Sequence, residues 1–395
     1  VLNRSLQVGS LPIGVDIGAG GVKMAQLRSS GGGLEVQALS RIDLPGGDQR
    51  PDDPNRIDSL VDLIARKVQS GGFSGRRVSI ALDDRMVRTR SVRQPRMPLS
   101  ELEAAAKLDA PGRLGFNDPE ACEVGWLLAG EVRQGDDVRD EVIYVGSERA
   151  PIERLVYGLA GLGLRPMWVE PGFTACTRCF TRTLRRAADQ SVVQLIVDIG
   201  LQTTGVILSR GSSVAFYKQL EIGGAAFTKA ASEKLGLEPA TVDDLRRRRM
   251  VPDSAGSTGV DPKVDRALYD AVRPLMGDLA HEVSLCVRYY SVTFRGAKPE
   301  RCILAGGEAA EPRLGDCFQD ALHISAGVGR PLDGIAISGR STSRVRGAGA
   351  EWAASIGLSL RARDDVKSRR KAHVQRSVEA PKQDARRTPD ARKAA

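Results

Sequence analysis

The chain has 395 residues, 41% hydrophobic and 27% charged, with 43 glycines and only 4% aromatics. That is length for two or three domains around a real core, and it excludes a stapled mini-protein and a globally disordered or collagen-like chain. The net charge of +9 suggests an anionic partner until it is located: residues 361–395 carry twelve Lys/Arg against five Asp/Glu, so +7 of it lies in a terminal tail. The nearly neutral body argues against a specific nucleic-acid surface, which needs clustered basic and aromatic residues.

The tail, poor in apolar residues, is expected to be disordered, and without an apolar face it would hold a membrane only weakly. No run approaches the roughly 20 apolar residues of a membrane span, and no basic-then-apolar leader opens the sequence, so a cytoplasmic location is expected. The six cysteines are scattered, as in reduced proteins. Cys176 and Cys179 form a lone CxxC, expected on one helix face rather than in a zinc site.

Residues 12–28 read as an apolar strand, a glycine-rich turn and a second strand. Ile57, Leu60, Val61, Ile64 and Val68 then recur at helical spacing, and Val78–Leu82 returns as a strand, giving the order strand, strand, helix, strand. Pro95 and Pro98 mark a boundary, and Ser100 to Glu103 has the form of a capping box opening a helix through Leu108. A small inserted α/β module is expected at about 86–140, followed by a strand at 141–145. A helix with Pro151 in its first turn, a strand at 166–169 and a further helix complete a first segment, 1–190.

At Val192 the plan restarts, with an apolar strand, a turn holding Asp-Ile-Gly, and a second strand. Ser212–Leu220 is a third strand, Gly223-Gly224 a turn and Ala225–Leu235 a helix, while 250–262 reads as a loop. A long helical stretch from Val264 to Tyr290 should kink or break at Pro274. It precedes a buried strand, Cys302–Ala305, and Gly306-Gly307. A second segment, 191–360, and the tail, 361–395, complete the organisation.

Three turns share one chemistry: Asp16-Ile-Gly18-Ala19-Gly20-Gly21, Asp198-Ile-Gly200-Leu-Gln-Thr203-Thr204, and Ala305-Gly306-Gly307-Glu308. Glycines there let backbone N–H groups approach an anion, so two facing turns could hold a polyphosphate between two lobes. The strand-end Asp16 and Asp198 suit a hydrated Mg²⁺, which takes few direct carboxylates. They lie 182 residues apart in matching contexts, as duplicated lobes facing a cleft require.

This pattern resembles the actin-like ATPase superfamily: the two Asp turns its phosphate loops, Ile303–Gly307 its adenosine loop, and Val169-Glu170-Pro171 its first connecting segment. Within it, the segments IGVDIGAGGVKMAQL (13–27), MPLSELEAAAKLDAPGRLGF (97–116), LVYGLAGLGLRPMWVEPGFTAC (155–176), VDIGLQTTGVILSRG (197–211), LEIGGAAFTKAASEKLG (220–236) and CILAGGEAAEPRLGDCFQDALHI (302–324) resemble the PilM family of type IV pilus assembly proteins, related to FtsA. The resemblance implies an α/β actin-like ATPase fold of two duplicated lobes facing a nucleotide cleft, binding ATP with Mg²⁺. Gly18, Ala19, Gly20, Gly21, Lys23, Gly200, Thr203, Thr204, Gly223, Gly224, Gly306 and Gly307 would contact the nucleotide. Asp16 and Asp198 would hold the metal, and Glu170 stands where some relatives orient the hydrolytic water.

The sequence also departs from its relatives. The first loop lacks hydroxyl residues, the second has Leu201 and Gln202 where active ATPases carry more glycine, and Glu282–Cys286 departs from the polar family pattern. Binding is thus the firmer expectation, turnover the weaker. The implied role is a cytoplasmic adaptor of an inner-membrane pilus or secretion platform. Its partner would be the cytoplasmic N-terminal segment of a PilN-like membrane protein, with membrane contact only peripheral and self-association left open. The alternative is a sugar or small-metabolite kinase of the same superfamily, for which no acidic base or sugar-binding motif is evident. Arg246–Arg249, the densest internal basic run, is expected to be a solvated or partner-facing surface.

Overall fold

The computed structural model describes residues 9–363, apart from 32, 45–48, 135–136, 252–258, 295–296, 338–344 and 346. Most of the basic tail, from 364, and most of the expected loop at 250–262 lie outside the described residues.

In chain order, β1 (Gly9–Gly18), β2 (Gly21–Ser30) and β3 (Gly33–Asp43) lead into α1 (Pro54–Ser70) and β4 (Arg77–Leu82). β5 (Arg88–Pro95), α2 (Leu99–Arg113), β6 (Cys122–Gln134) and β7 (Asp137–Glu148) follow, then α3 (Arg149–Gly161), β8 (Arg165–Pro171) and α4 (Gly172–Thr181). The second half contains β9 (Val193–Ile199), β10 (Thr204–Arg210), β11 (Ser213–Leu220), α5 (Gly224–Leu235), α6 (Pro239–Met250) and α7 (Pro262–Phe294). It ends with β12 (Arg301–Ala305), α8 (Leu314–Leu322), β13 (Ser325–Val328), β14 (Ile335–Ile337) and α9 (Ala353–Ser359).

The internal repeat is visible in the sheets. One is ordered β14-β3-β2-β1-β4-β8 and the other β11-β10-β9-β12-β13, so β3-β2-β1-β4-β8 and β11-β10-β9-β12-β13 match strand for strand. In each, the first pairings are antiparallel and the last two parallel. β3 corrects the expected strand–strand–helix–strand order: its alternation is interrupted where the β2 pairing shifts between Gln26 and Leu27. That irregularity turns Leu27 N–H toward the Ser359 hydroxyl, which accepts it at 3.1 Å and donates to the Pro12 carbonyl at 2.8 Å. The segment 191–360 does not stay with the second sheet, because β14 joins β3 and α9 packs on β1 and α4.

The third sheet, β5-β7-β6, carries α2 across one face. Leu102, Ala106 and Ala110 are buried there against Val142 and Tyr144. The strand expected to follow the module, 141–145, is the middle of this sheet. The capping box is not used: Ser100 lies inside α2, and the Pro98 carbonyl accepts the Glu101 and Leu102 N–H groups, each at 3.0 Å.

α7 runs unbroken through Pro274, against expectation. Proline removes the bond to the carbonyl four residues back, here that of Asp270, and Lys234 Nζ donates to this oxygen at 2.7 Å. A partner from α5 thus replaces the lost helical bond. Separate cores lie behind the two sheets, and a third cluster joins Leu27, Phe173, Cys176, Ile196 and Tyr217 between them. The Phe173 and Tyr217 rings stack there at 3.9 Å.

Candidate functional site

A two-residue turn, Ala19-Gly20, joins β1 to β2 and sets Asp16 opposite Lys23. Their charges approach to 3.7 Å, Lys23 Nζ to Asp16 Oδ2. In the second sheet Asp198 pairs with Gly205 on one side and Ala305 on the other, and the following turn closes when Gly200 N–H donates to the Thr203 carbonyl at 2.9 Å. The two turns meet: a Cβ built on Gly20 would stand 3.0 Å from Leu201 Cδ2.

Both turns are braced from behind. Arg56 of α1 donates to the Gly18 carbonyl at 3.4 Å and to buried Asp83 at 3.1 Å. The opening N–H groups of α5 support the other turn, Gly224 to the Gly200 carbonyl at 3.0 Å and Ala225 to that of Leu201 at 2.7 Å. Gly306 completes the wall. Its φ of 90° is in the region that favours glycine, and a Cβ would come within 2.3 Å of the Ile199 oxygen and 2.6 Å of Asp198 Oδ1.

The cleft so formed is lined by Asp16, Gly18, Ala19, Gly20, Gly21, Lys23, Asp198, Gly200, Thr203, Gly306 and Gly307 of the expected set. Four expected residues are not in its lining. Thr204 is buried with its hydroxyl donating to the Ile222 carbonyl at 2.6 Å, because strand alternation turns it away from Thr203. Gly223 and Gly224 lie beneath the second turn, where a side chain would strike backbone or the Glu308 carboxylate. Glu170 is held in a two-pronged ion pair by Arg178, at 2.8 and 2.7 Å, and accepts from Thr174 at 2.8 Å.

Sequence reading missed Asp83-Asp84-Arg85, although they follow β4 directly beside β1, at the carboxyl ends of parallel strands where α/β sheets place ligands. Asp84 lines the cleft; Asp83 ties Arg56 to Arg85, the latter at 2.8 Å. Arg41 and Glu351, paired with each other, also line it, as do Arg247, Met250 and Glu308. The Arg246–Arg249 run is therefore not simply a solvated surface. Arg246 and Arg249, one helical turn apart, are 1% and 3% exposed, while Arg247 faces the cleft and Arg248 pairs with Asp244 in solvent.

The cleft concentrates negative charge. Burial, and then the Asp16 charge, raise the Asp198 carboxyl to about 6. Burial also raises Asp16, against the opposing pull of Lys23. Asp84 is pushed well above the usual carboxylate range by burial, then by Asp198, Asp16 and Asp83. Among the described residues no three His, Cys, Asp or Glu groups stand close enough to enclose a metal. Carboxylates whose ionised forms are disfavoured by burial and by one another, with no closed ligand cage, suit a cation that keeps its waters, as Mg²⁺ does. Burial holds the thiols behind them in the protonated form, pushing Cys179 up to about 12 and Cys176 well above its usual value. Both sit on α4, as expected.

Two matching sheets that bring a pair of glycine turns together at the ends of their first strands define an actin-like ATPase fold. Among solved structures, a PilM-PilN type IV pilus biogenesis complex superposes with a TM-score of 0.72 at 22% identity, covering 89% of this chain and 98% of that one. The ethanolamine utilization protein EutJ from Carboxydothermus hydrogenoformans gives 0.52 at 13% identity, covering 90% of each chain. A family model described as type IV pilus assembly protein PilM matches residues 14–363, and the chain belongs to that family. Among the described residues no helix is long and apolar enough to cross a membrane.

Proposed function

We propose that this pilus assembly protein is a nucleotide-binding adaptor of the inner-membrane platform, taking ATP with Mg²⁺ in its cleft and coupling that binding to a PilN-like partner. The observation that carries the reading is the meeting of the two glycine turns over Lys23, Asp16 and Asp198. Backbone N–H groups of the 18–21 and 200–203 turns would cradle phosphate oxygens, and Lys23 would add a point charge. Asp16 and Asp198 would hold Mg²⁺ through water, the ion supplying positive charge among otherwise repelling carboxylates and phosphates. Gly306 and Gly307 would admit the nucleoside.

The adaptor reading favours binding over turnover, since Glu170 is committed to Arg178 and Thr174. The PilN-like partner would be met through its cytoplasmic N-terminal segment, leaving this protein cytoplasmic and peripheral to the inner membrane. The likeness to a PilM-PilN complex supports that partner. Calorimetric titration of the purified chain with ATP and Mg²⁺, followed by phosphate release, tests the reading. Saturable binding with negligible release supports it, absence of binding refutes it, and sugar-dependent ADP formation would favour a kinase.

A further inference from the structure

Behind the second glycine turn lies a buried polar cluster to which the nucleotide reading gives no part. Arg246 uses all five of its guanidinium donors there. Nε donates to Glu311 at 3.1 Å, Nη1 to the Gly224 carbonyl and Thr228 hydroxyl at 2.9 Å each, and Nη2 to Glu308 and Glu311 at 2.6 and 2.7 Å. Arg249 takes the other Glu311 oxygen at 3.0 Å. Glu311 is thus fully matched and 0% exposed. Glu308 differs: Arg246 holds its Oε2, its side chain is 14% exposed, it lines the cleft, and among the described residues Oε1 has no hydrogen-bond partner.

A fixed carboxylate in a phosphate-binding cleft repels phosphate, so the part of a nucleotide beside it must donate hydrogen bonds. Its location narrows which part. Glu308 N–H donates to the Ile199 carbonyl at 3.1 Å, one residue beyond Asp198, and Gly306 packs on Asp198 itself. The carboxylate is therefore anchored next to the metal and phosphate end, where a nucleotide carries its sugar rather than its base. We infer that Glu308, clamped by Arg246 over side-chain-free Gly224, reads the ribose hydroxyls and sets a preference for ribonucleotides. The inference rests on the nucleotide reading above.

The test compares Mg²⁺ complexes of ATP, 2′-deoxy-ATP, 3′-deoxy-ATP and GTP by calorimetry on the full chain, its Glu308→Gln variant and its Glu308→Ala variant, with thermal melts as a folding check. Hydrogen bonds to charged groups are strong enough that the wild type should bind at least one deoxy analogue about tenfold more weakly than ATP. In Glu308→Gln the side-chain carbonyl must face Arg246, which only donates, leaving an amide donor where the carboxylate accepted. A ribose hydroxyl can turn and accept from that amide, so this variant should keep part of the ribose preference. Glu308→Ala, which leaves no polar group facing the hydroxyls, should bring ATP and both deoxy analogues to within about twofold of one another. Equal wild-type affinity for ATP and both deoxy analogues, or a preference that survives in Glu308→Ala, overturns the inference while leaving nucleotide binding intact. A GTP preference lost on substitution would assign the carboxylate to a base edge and likewise overturn the ribose assignment. No binding by any nucleotide overturns the reading of the cleft itself.

Discussion

Asp198→Asn should make the nucleotide-free protein more stable while removing its response to Mg²⁺ and ATP. Burial first, and the Asp16 charge second, raise the Asp198 carboxyl from its ordinary 3.8 to about 6. The folded state therefore binds this proton more tightly than the unfolded chain does. The contribution to stability is present below about pH 4 and is lost as pH rises through about 6. At 1.36 kcal/mol per tenfold change, ionised Asp198 costs about 3 kcal/mol above that range. Asparagine has nearly the same shape and carries no charge, and its carbonyl can still accept the hydrogen bond from Cys176. For a folded body of this size, about 3 kcal/mol corresponds to a rise in Tm of about 4 °C. Thermal melts of both proteins at pH 8 and pH 4, with and without Mg²⁺ and ATP, would measure it. The variant should melt higher at pH 8, match the wild type at pH 4, and gain nothing from nucleotide. A lower Tm at pH 8 would refute the electrostatic reasoning, and an undiminished nucleotide increment would refute the metal role.

Two further predictions concern the frame. Gly357→Ala would drive a Cβ to 1.8 Å from the Ala175 carbonyl, where α9 meets α4, and should cost about 3 kcal/mol as the helices separate; Gly277→Ala, on an exposed face of α7 with nothing near the new methyl, should stabilise by about 0.8 kcal/mol. Urea denaturation of the pair checks both signs in one protein. Glu170→Gln should leave nucleotide affinity unchanged and cost about 2 kcal/mol, since Arg178, with only 10% of its side chain exposed, loses a charged partner. A stable variant whose phosphate release is specifically abolished would instead restore Glu170 to a catalytic role.

The duplicated strand–turn–strand units were legible because each pairs apolar alternation with a glycine turn after a strand-end aspartate, signals local in sequence. β3 was not, because its pairing to β2 shifts and its alternation shifts with it. The unbroken α7 could not be read either, since the Lys234 bond that compensates Pro274 joins residues from different helices. Within the site, Asp16, Lys23 and Asp198 follow from register along two hairpins. Asp84 and Glu308 reach the cleft only through the order of strands in each sheet, with β4 beside β1 and β12 beside β9. Arg246 is the sharpest case: four consecutive arginines look like a solvated run, and only Glu308 at the cleft wall and buried Glu311, on a distant loop, reveal a different environment for each.

The two ends of the seam between the sheets differ in kind, and this bears on how a nucleotide could act. At one end Leu27, Phe173, Cys176, Ile196 and Tyr217 form a shared apolar cluster with a stacked ring pair. At the other, Gly20 faces Leu201 across a cleft where Asp198 and Asp84 are destabilised as charged groups by burial and by neighbouring carboxylates. Apolar packing resists separation, whereas buried like charges favour it until a cation arrives. Relative motion of the lobes should therefore pivot about the apolar cluster and open at the glycine turns. A ligand shifts such an equilibrium only by its difference in affinity for the two states. Mg²⁺ and a polyphosphate, touching both turns at once, would have that difference, whereas a nucleoside alone, lacking the groups that answer Asp16 and Asp198, would not.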